Sequence, residues 1–219
     1  MVAAGLLVPL LVLPPLAILL TTLLAPPPAI ASGLLLIAIC PVGGISNVFT
    51  FLARGATALS ITLTTLSCLL ATVTIPILDT LVAGMAHTPP VGNLPAARLL
   101  LQLLLTVCVP VAVGMAVRRV RPDVADAHHA SLRRLSFVLL ALLLAMIVLA
   151  DVPAFVEGLP VAVPLAAVFI ACSALVGGGV AHALGGDFRE RVAMSIEFAT
   201  RNVAIANMLA LSQGRLGFA

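Results

Sequence analysis

The sequence predicts an all-α polytopic membrane protein, and three observations carry that prediction. Of the 219 residues, 62% are hydrophobic and 9% charged, with a mean hydropathy of +1.27; a soluble domain carries roughly 25% charged residues, so this chain has too few to cover a surface facing water. Stretches of about 20 mainly apolar residues recur along it, the length an α-helix needs to cross a hydrocarbon core of about 30 Å. The formal charge of +3 rests on Arg, since there is no Lys, and the arginines cluster between apolar stretches as orientation signals do. The basic balance therefore does not point to nucleic acid.

Breaking the chain at its Pro, Gly and charge clusters gives seven spans, at about residues 3–24, 29–53, 56–84, 97–117, 134–150, 159–184 and 189–212. The first, within MVAAGLLVPLLVLPPLAILL, has no basic n-region, so it reads as a membrane helix and not as a signal peptide. APPPA at 25–29 and HTPPVG at 87–92 read as tight loops. Arg54 follows the second span, Arg118, Arg119, Arg121, Arg133 and Arg134 bracket the loop 118–134, and Arg189 and Arg191 precede the seventh span. These positions alternate with Arg-poor loops. Placing them in the cytoplasm puts the 84–96 and 151–158 loops outside and the termini on opposite sides, with Arg98 and Arg215 as the exceptions. HHASLRR, residues 128–134, then reads as an orientation signal and solvated linker. Trp and Tyr are absent, so positioning in the bilayer rests on Arg, Phe and helix packing.

Cys40, Cys68, Cys108 and Cys172 stand singly in apolar segments without metal-ligand spacing and read as packing residues. His87, His128, His129 and His182 fall in loops or at a span end. Neither a nucleophile with a base nor a metal triad is expected at membrane depth, so the chain is not expected to be an enzyme.

Two spans are unusual. The second, SGLLLIAICPVGGISNVFTFLARG, is interrupted by Pro41, Gly43 and Gly44 and then carries Ser46 and Asn47; the seventh carries Glu197, Thr200, Arg201 and Asn202 at the corresponding depth. A charged residue near the centre of a spanning helix costs about 2.5–3.5 kcal/mol, whereas each Leu or Ile returns about 0.3–0.6, so the seventh span cannot lie alone in lipid. One plain reading is that Glu197 and Arg201, four residues apart, neutralise each other on one helix face, but such a pair normally lies near an interface and not mid-span, so it is not expected to be the whole explanation. The segments GISNVFTFLA and ATRNVAIANMLA also share an Asn-Val core, and the predicted topology runs them in opposite directions, as an inverted repeat requires. Interrupted helices at corresponding positions of such halves point to a transporter's site near the midplane. The new helix start near Gly44 to Asn47 offers free amides that suit an anionic group, while nearby side-chain and carbonyl oxygens suit a small hard cation. Ser60 and Thr64, one turn apart, can add hydroxyls, although such residues often bond their own helix backbone instead.

CPVGGISNVFTFLARGATALSITLTT, residues 40–65, resembles the signature region of the bile acid:sodium symporter family, and residues 197–202 resemble its second signature. The resemblance implies a fold of ten helices in a panel and a core domain, with two broken core helices crossing near the midplane. The seven spans would be the third to ninth of that plan, two panel helices preceding Met1 and a last core helix following Ala219. Residues 1–84 would form the first part of the core, 85–158 two panel helices with the Arg-rich cytoplasmic loop 118–134, and 159–219 the second part of the core. The resemblance implies a first sodium site of Ser46, Asn47, Ser60, Thr64 and Glu197. It implies a second cation site around Pro9, Phe198, Thr200 and Arg201, degenerate here because Pro9 and Arg201 stand where the family has glutamines. Substrate contacts would come from Gly44, Ile45, Asn47 and Asn202. The family's glycine two residues after the glutamate is Ala199.

The expected activity is sodium-coupled symport of an organic anion, a bile acid or smaller carboxylate, with one Na+ and with Arg201 standing in for a second. Proton coupling, a sodium-independent carrier, and a silent fragment or scaffold are the alternatives. The expected setting is multi-pass in a bacterial inner membrane, with the lipid bilayer and a small organic anion as partners and no nucleic acid. A homo-oligomer is expected if the chain is not a fragment.

Overall fold

The computed structural model describes residues 1–86, 101, 105, 109–150 and 152–212. Helix α1 spans Val2–Leu24, α2 Pro28–Ile39, α3 Ile45–Leu52 and α4 Thr57–Ala86. Then come α5 Val109–Val120, α6 Pro122–Ala150, α7 Val152–Ala183, α8 Phe188–Ala199 and α9 Val203–Ser212. Among the described residues the only extended pairing is an isolated antiparallel bridge between Val42 and Arg201. The protein is an all-α membrane protein. Val2–Leu24, Thr57–Val82 and Phe155–Ala183 are each long and apolar enough to cross a bilayer.

α1 continues through Pro9, Pro14 and Pro15; proline is tolerated in membrane helices where neighbouring elements re-satisfy the freed carbonyls. Its buried positions Gly5, Pro9, Leu13, Ala17 and Leu20 recur every three or four residues and make one face. The opposite face is also apolar, with Leu11 72% exposed. In α7, Leu175 is 75% exposed. A helix that is apolar all round belongs in hydrocarbon, where outward-facing Leu is at no disadvantage.

Two apolar clusters form the interior. The larger joins Leu13 and Ala17 of α1, Leu35 and Ile39 of α2, Ile75 of α4, Phe169 of α7 and Leu209 of α9. The smaller joins Leu63 of α4, Ala181 of α7, and Met194 and Phe198 of α8. α4 contributes to both clusters, and its polar positions Ser60 and Thr64 flank Leu63 of the smaller one.

The boundaries differ from expectation in three places. The segment 118–134, expected as a loop, is helical apart from Arg121. Pro122 stands at the first position of α6 and Asp123 in its first turn, both favourable at a helix N-terminus, so a charged, exposed segment still forms helix. The 151–158 loop is likewise absent over the described residues 152–158, because α7 begins at Val152 and takes Pro153 in its first turn. The spans expected at 29–53 and 189–212 are each two shorter helices. Of the span expected at 97–117, residues 101, 105 and 109–117 are described, the last nine within α5, and the HTPPVG loop at 87–92 lies wholly outside the described residues.

α7 ends with Gly185 at φ 73°, a left-handed conformation that favours glycine. α8 then starts from a capping box: Glu190 N donates to Asp187 Oδ1 at 2.7 Å, and Asp187 N donates to Glu190 Oε2 at 3.1 Å. α7 lies against α8 through its glycines. A Cβ at Gly177 would collide with the carbonyl oxygen of Met194, whereas one at Gly179 would meet nothing within 4 Å. Gly177→Ala is therefore expected to lower the melting temperature in detergent, because overpacking of about 1–3 kcal/mol outweighs the ~1 kcal/mol gained in helix propensity. Gly179→Ala is expected to leave it unchanged or raise it slightly. Paired thermal melts check both.

Candidate functional site

α2 stops where proline forces it to. Cys40, before Pro41, adopts φ −69° and ψ 152°, the extended conformation that a following proline favours. α8 stops at Thr200, also extended at φ −105° and ψ 104°. The two interruptions meet antiparallel: Gly43 N donates to Thr200 O at 3.2 Å, and Asn202 N donates to Pro41 O at 2.9 Å. Backbone groups released at membrane depth must find protein partners, and here each break serves the other. A Cβ at Gly43 would lie 2.9 Å from the Arg201 carbonyl oxygen, so the approach needs glycine.

Val42, between the breaks, is held by α4. Its amide donates to Ser67 Oγ at 3.3 Å, and its carbonyl accepts from Cys68 Sγ at 3.8 Å. Sequence reasoning missed Ser67, although it stands one turn beyond Thr64 on the same polar face. Cys68, expected only to pack, also makes this weak bond. Cys40 and Cys68 are buried, and Cys108 lies outside the described residues.

α3 begins after the break with Ser46 and Asn47 in its first turn. Glu197, in the last turn of α8, is 1% exposed. Its Oε1 accepts from Ser46 Oγ at 2.7 Å and from Ser60 Oγ at 2.5 Å, and Thr64 Oγ1 donates to Oε2 at 3.2 Å. Asn47 joins the group, its Oδ1 lying 2.8 Å from Ser60 Oγ and 3.4 Å from Thr64 Oγ1. The five side chains expected at one site thus come together from α3, α4 and α8. Hydrogen bonds to a charged group contribute about 1.5–3 kcal/mol each, enough in sum to offset an ion-burial penalty of several kcal/mol.

The hydroxyls of α4 divide by direction. Thr62 donates to Ala58 O and Thr65 to Ile61 O, each at 2.8 Å within its own helix. Ser60 and Thr64, on the other face, reach Glu197 instead of their own backbone. Lipid offers a hydroxyl nothing, so each bonds either its helix or the buried carboxylate.

The plain neutralising pair on one helix face does not form. α8 ends between Glu197 and Arg201, and the extended break turns the arginine away toward α2. Arg201 Nη2 donates to the carbonyl oxygens of Cys40 and, at 3.5 Å, of Ala38. The side chain is 6% exposed. Arg201 and Pro9 border one cavity of about 20 Å³, together with Ser67 and Thr74. Phe198 points instead into the smaller apolar cluster, and the Thr200 carbonyl is taken by Gly43.

Of the residues expected to contact substrate, Gly44 precedes α3 beside open space. Ile45 opens α3 half-buried, and Asn47 is engaged with Ser60. Asn202 caps α9 by accepting from Ile205 N at 3.2 Å. Among the described residues no group of three or more His, Cys, Asp or Glu is arranged to hold a metal ion. The oxygens around Glu197 are nonetheless a donor set that suits a hard monovalent cation.

These features define an integral membrane protein with a polar site built where two interrupted helices meet. The chain belongs to the sodium bile acid symporter family, whose description matches residues 1–157. It is 42% identical over 102 residues to an uncharacterized sodium-dependent transporter, YocS, of Bacillus subtilis, covering 46% of this chain and 30% of the relative. It is 30% identical over 219 residues to the P3 protein of Bos taurus, covering 97% of this chain and 44% of the relative. A probable sodium/metabolite cotransporter of rice chloroplasts, BASS2, is 35% identical over 114 residues, covering 52% of this chain and 26% of the relative. The chain thus spans less than half the length of these relatives.

Ser60→Ala is expected to destabilise the protein by about 1–3 kcal/mol, because it removes a donor from a buried carboxylate. Thr62→Ala, which loses only a bond within its own helix, is expected to change stability by less than about 0.5 kcal/mol. Thermal melts of both variants in the same detergent give the comparison.

Proposed function

We propose that this protein is part or all of a sodium-coupled carrier that takes up an organic anion, with Ser46, Asn47, Ser60, Thr64 and Glu197 as the sodium ligands. The observation that carries the reading is the convergence of these oxygen-bearing side chains, from three helices, around a carboxylate with 1% exposure. Hard cations prefer such oxygens, and a charged residue inside a membrane is a functional group by default. Membership of a symporter family and the names of the sodium-dependent relatives support the same ion.

The substrate, in this reading, is a small carboxylate or bile-acid-like anion. It binds beside Gly44, Ile45, Asn47 and Asn202, at the two helix starts that follow the breaks. The amides of a helix N-terminus and the positive end of its dipole favour an anion there. Sodium bound one turn away adds a positive charge, which couples the two ligands: each raises the affinity for the other by the same factor. The carrier works in a bacterial cell membrane, and the crossed breaks are the centre of an inverted repeat.

Uptake of a labelled organic anion by the complete protein in proteoliposomes tests the reading. An inward sodium gradient is expected to drive accumulation that potassium or choline does not. Glu197→Gln is expected to reduce sodium-driven uptake at least tenfold. Undiminished sodium dependence in that variant would sink the assignment.

A further inference from the structure

We infer that Arg201 is a built-in cation, its guanidinium holding at the end of α2 the place that a second mobile monovalent cation would otherwise take. The inference begins with the carbonyls that the break exposes. In an uninterrupted helix Ala38 O would accept from Val42 N four residues on, but that amide donates to Ser67 Oγ instead. Ala38 O and Cys40 O are left at the C-terminal, negative end of α2, at membrane depth. Unwound carbonyls and half-helix C-terminal ends are where membrane carriers coordinate cations.

Arg201 supplies that positive charge from within the chain. Nη2 donates to both carbonyls, and the bridge to Val42 fixes the backbone from which the side chain reaches. Arg keeps its charge permanently and cannot leave. Its Nε is buried without a protein partner, and the adjoining cavity of about 20 Å³ has room for about one water molecule. A second cation in that space would stand directly against the guanidinium, whose like charge disfavours it.

Charge balance gives this placement a consequence for coupling, and this step rests on the sodium reading proposed above. Glu197 and Arg201 are the charged side chains buried among the described residues, and together they sum to zero. One Na+ at Glu197 makes the site singly positive, which a monoanionic substrate neutralises. With a neutral residue at 201, the same neutral loaded state needs two cations. Arg201 thus sets a coupling of one Na+ per monoanion, with no net charge moved.

Sodium titration of thermal stability in detergent, with choline replacing sodium at constant ionic strength, tests the inference without requiring transport. The slope of stability against the logarithm of sodium concentration counts the ions linked to folding. The wild-type slope is expected to correspond to one ion. Arg201→Gln is expected to melt lower in choline and to show a slope approaching twice that of the wild type, while Arg201→Lys keeps the single-ion slope. A wild-type slope of two ions, or an Arg201→Gln protein that keeps the wild type's one-ion slope, overturns the inference and leaves the Glu197 assignment standing, whereas two proteins equally indifferent to sodium overturn both. A wild type indifferent to sodium with an Arg201→Gln protein that gains a response supports the built-in cation and removes the sodium reading at Glu197. If Arg201→Gln does not fold, uptake by the wild-type protein decides: a monoanion is expected to enter at a rate independent of imposed membrane potential. Acceleration by an inside-negative potential would overturn the one-ion coupling.

Discussion

Two backbone hydrogen bonds, Gly43 N to Thr200 O and Asn202 N to Pro41 O, join the two interruptions around which the buried polar site of this protein is built. Hydrocarbon cannot satisfy an amide or a carbonyl, so a membrane helix that stops halfway must find partners in protein. Neither interruption could persist alone. Placed side by side and antiparallel, each supplies what the other lacks, and the remaining features follow from that contact. Gly43 has no side chain because the Arg201 carbonyl is too close, Asn202 caps the helix that restarts, and Glu197 lies one turn before the break, where α3 and α4 can reach it.

The two interruptions are alike in backbone and opposite in charge. The last turn of α8 carries a carboxylate that accepts from three neutral hydroxyls. The end of α2 presents carbonyls that accept from a guanidinium. Burying either charge costs several kcal/mol before its hydrogen bonds offset it. Each bonds locally to groups that are not its obvious counter-ion. That separation leaves the carboxylate surrounded by groups of no net charge, whereas a direct ion pair would have consumed it.

Composition and the spacing of Pro, Gly and Arg made the membrane class and the position of the α2–α3 break legible, because both follow from what lipid forbids. The grouping of Ser46, Asn47, Ser60, Thr64 and Glu197 came from a resemblance. Periodicity alone could say only that Ser60 and Thr64 share a face of α4. The direction of Arg201 was not legible. Four residues after Glu197, it suggests a helical pair, and only the extended conformation of Thr200, set by contact with Gly43 from a distant part of the chain, sends it to α2 instead. The segment 118–134 misled for a different reason. Clustered charge signals exposure, which a helix projecting from the bilayer satisfies as well as a loop does, and Pro122 and Asp123 favour the helix.

The choice of hydroxyls around Glu197 has its own logic under the proposed sodium reading. A hydroxyl carries one donor and two acceptor lone pairs and rotates freely about its C–O bond. Ser46, Ser60 and Thr64 can turn their protons toward the carboxylate, as the hydrogen bonds here require. With a hard cation in the same cage, the same oxygens can turn their lone pairs inward and send their protons elsewhere, without moving a helix. Lys or Arg would satisfy the carboxylate in the first state and block the second, which is what Arg201 does at the end of α2. A cage meant to fill and empty needs groups that are good partners in both conditions, and among uncharged side chains Ser and Thr are the smallest that qualify. The hydroxyl chemistry that makes a buried Glu197 tolerable is therefore the chemistry that would let it take up and release an ion.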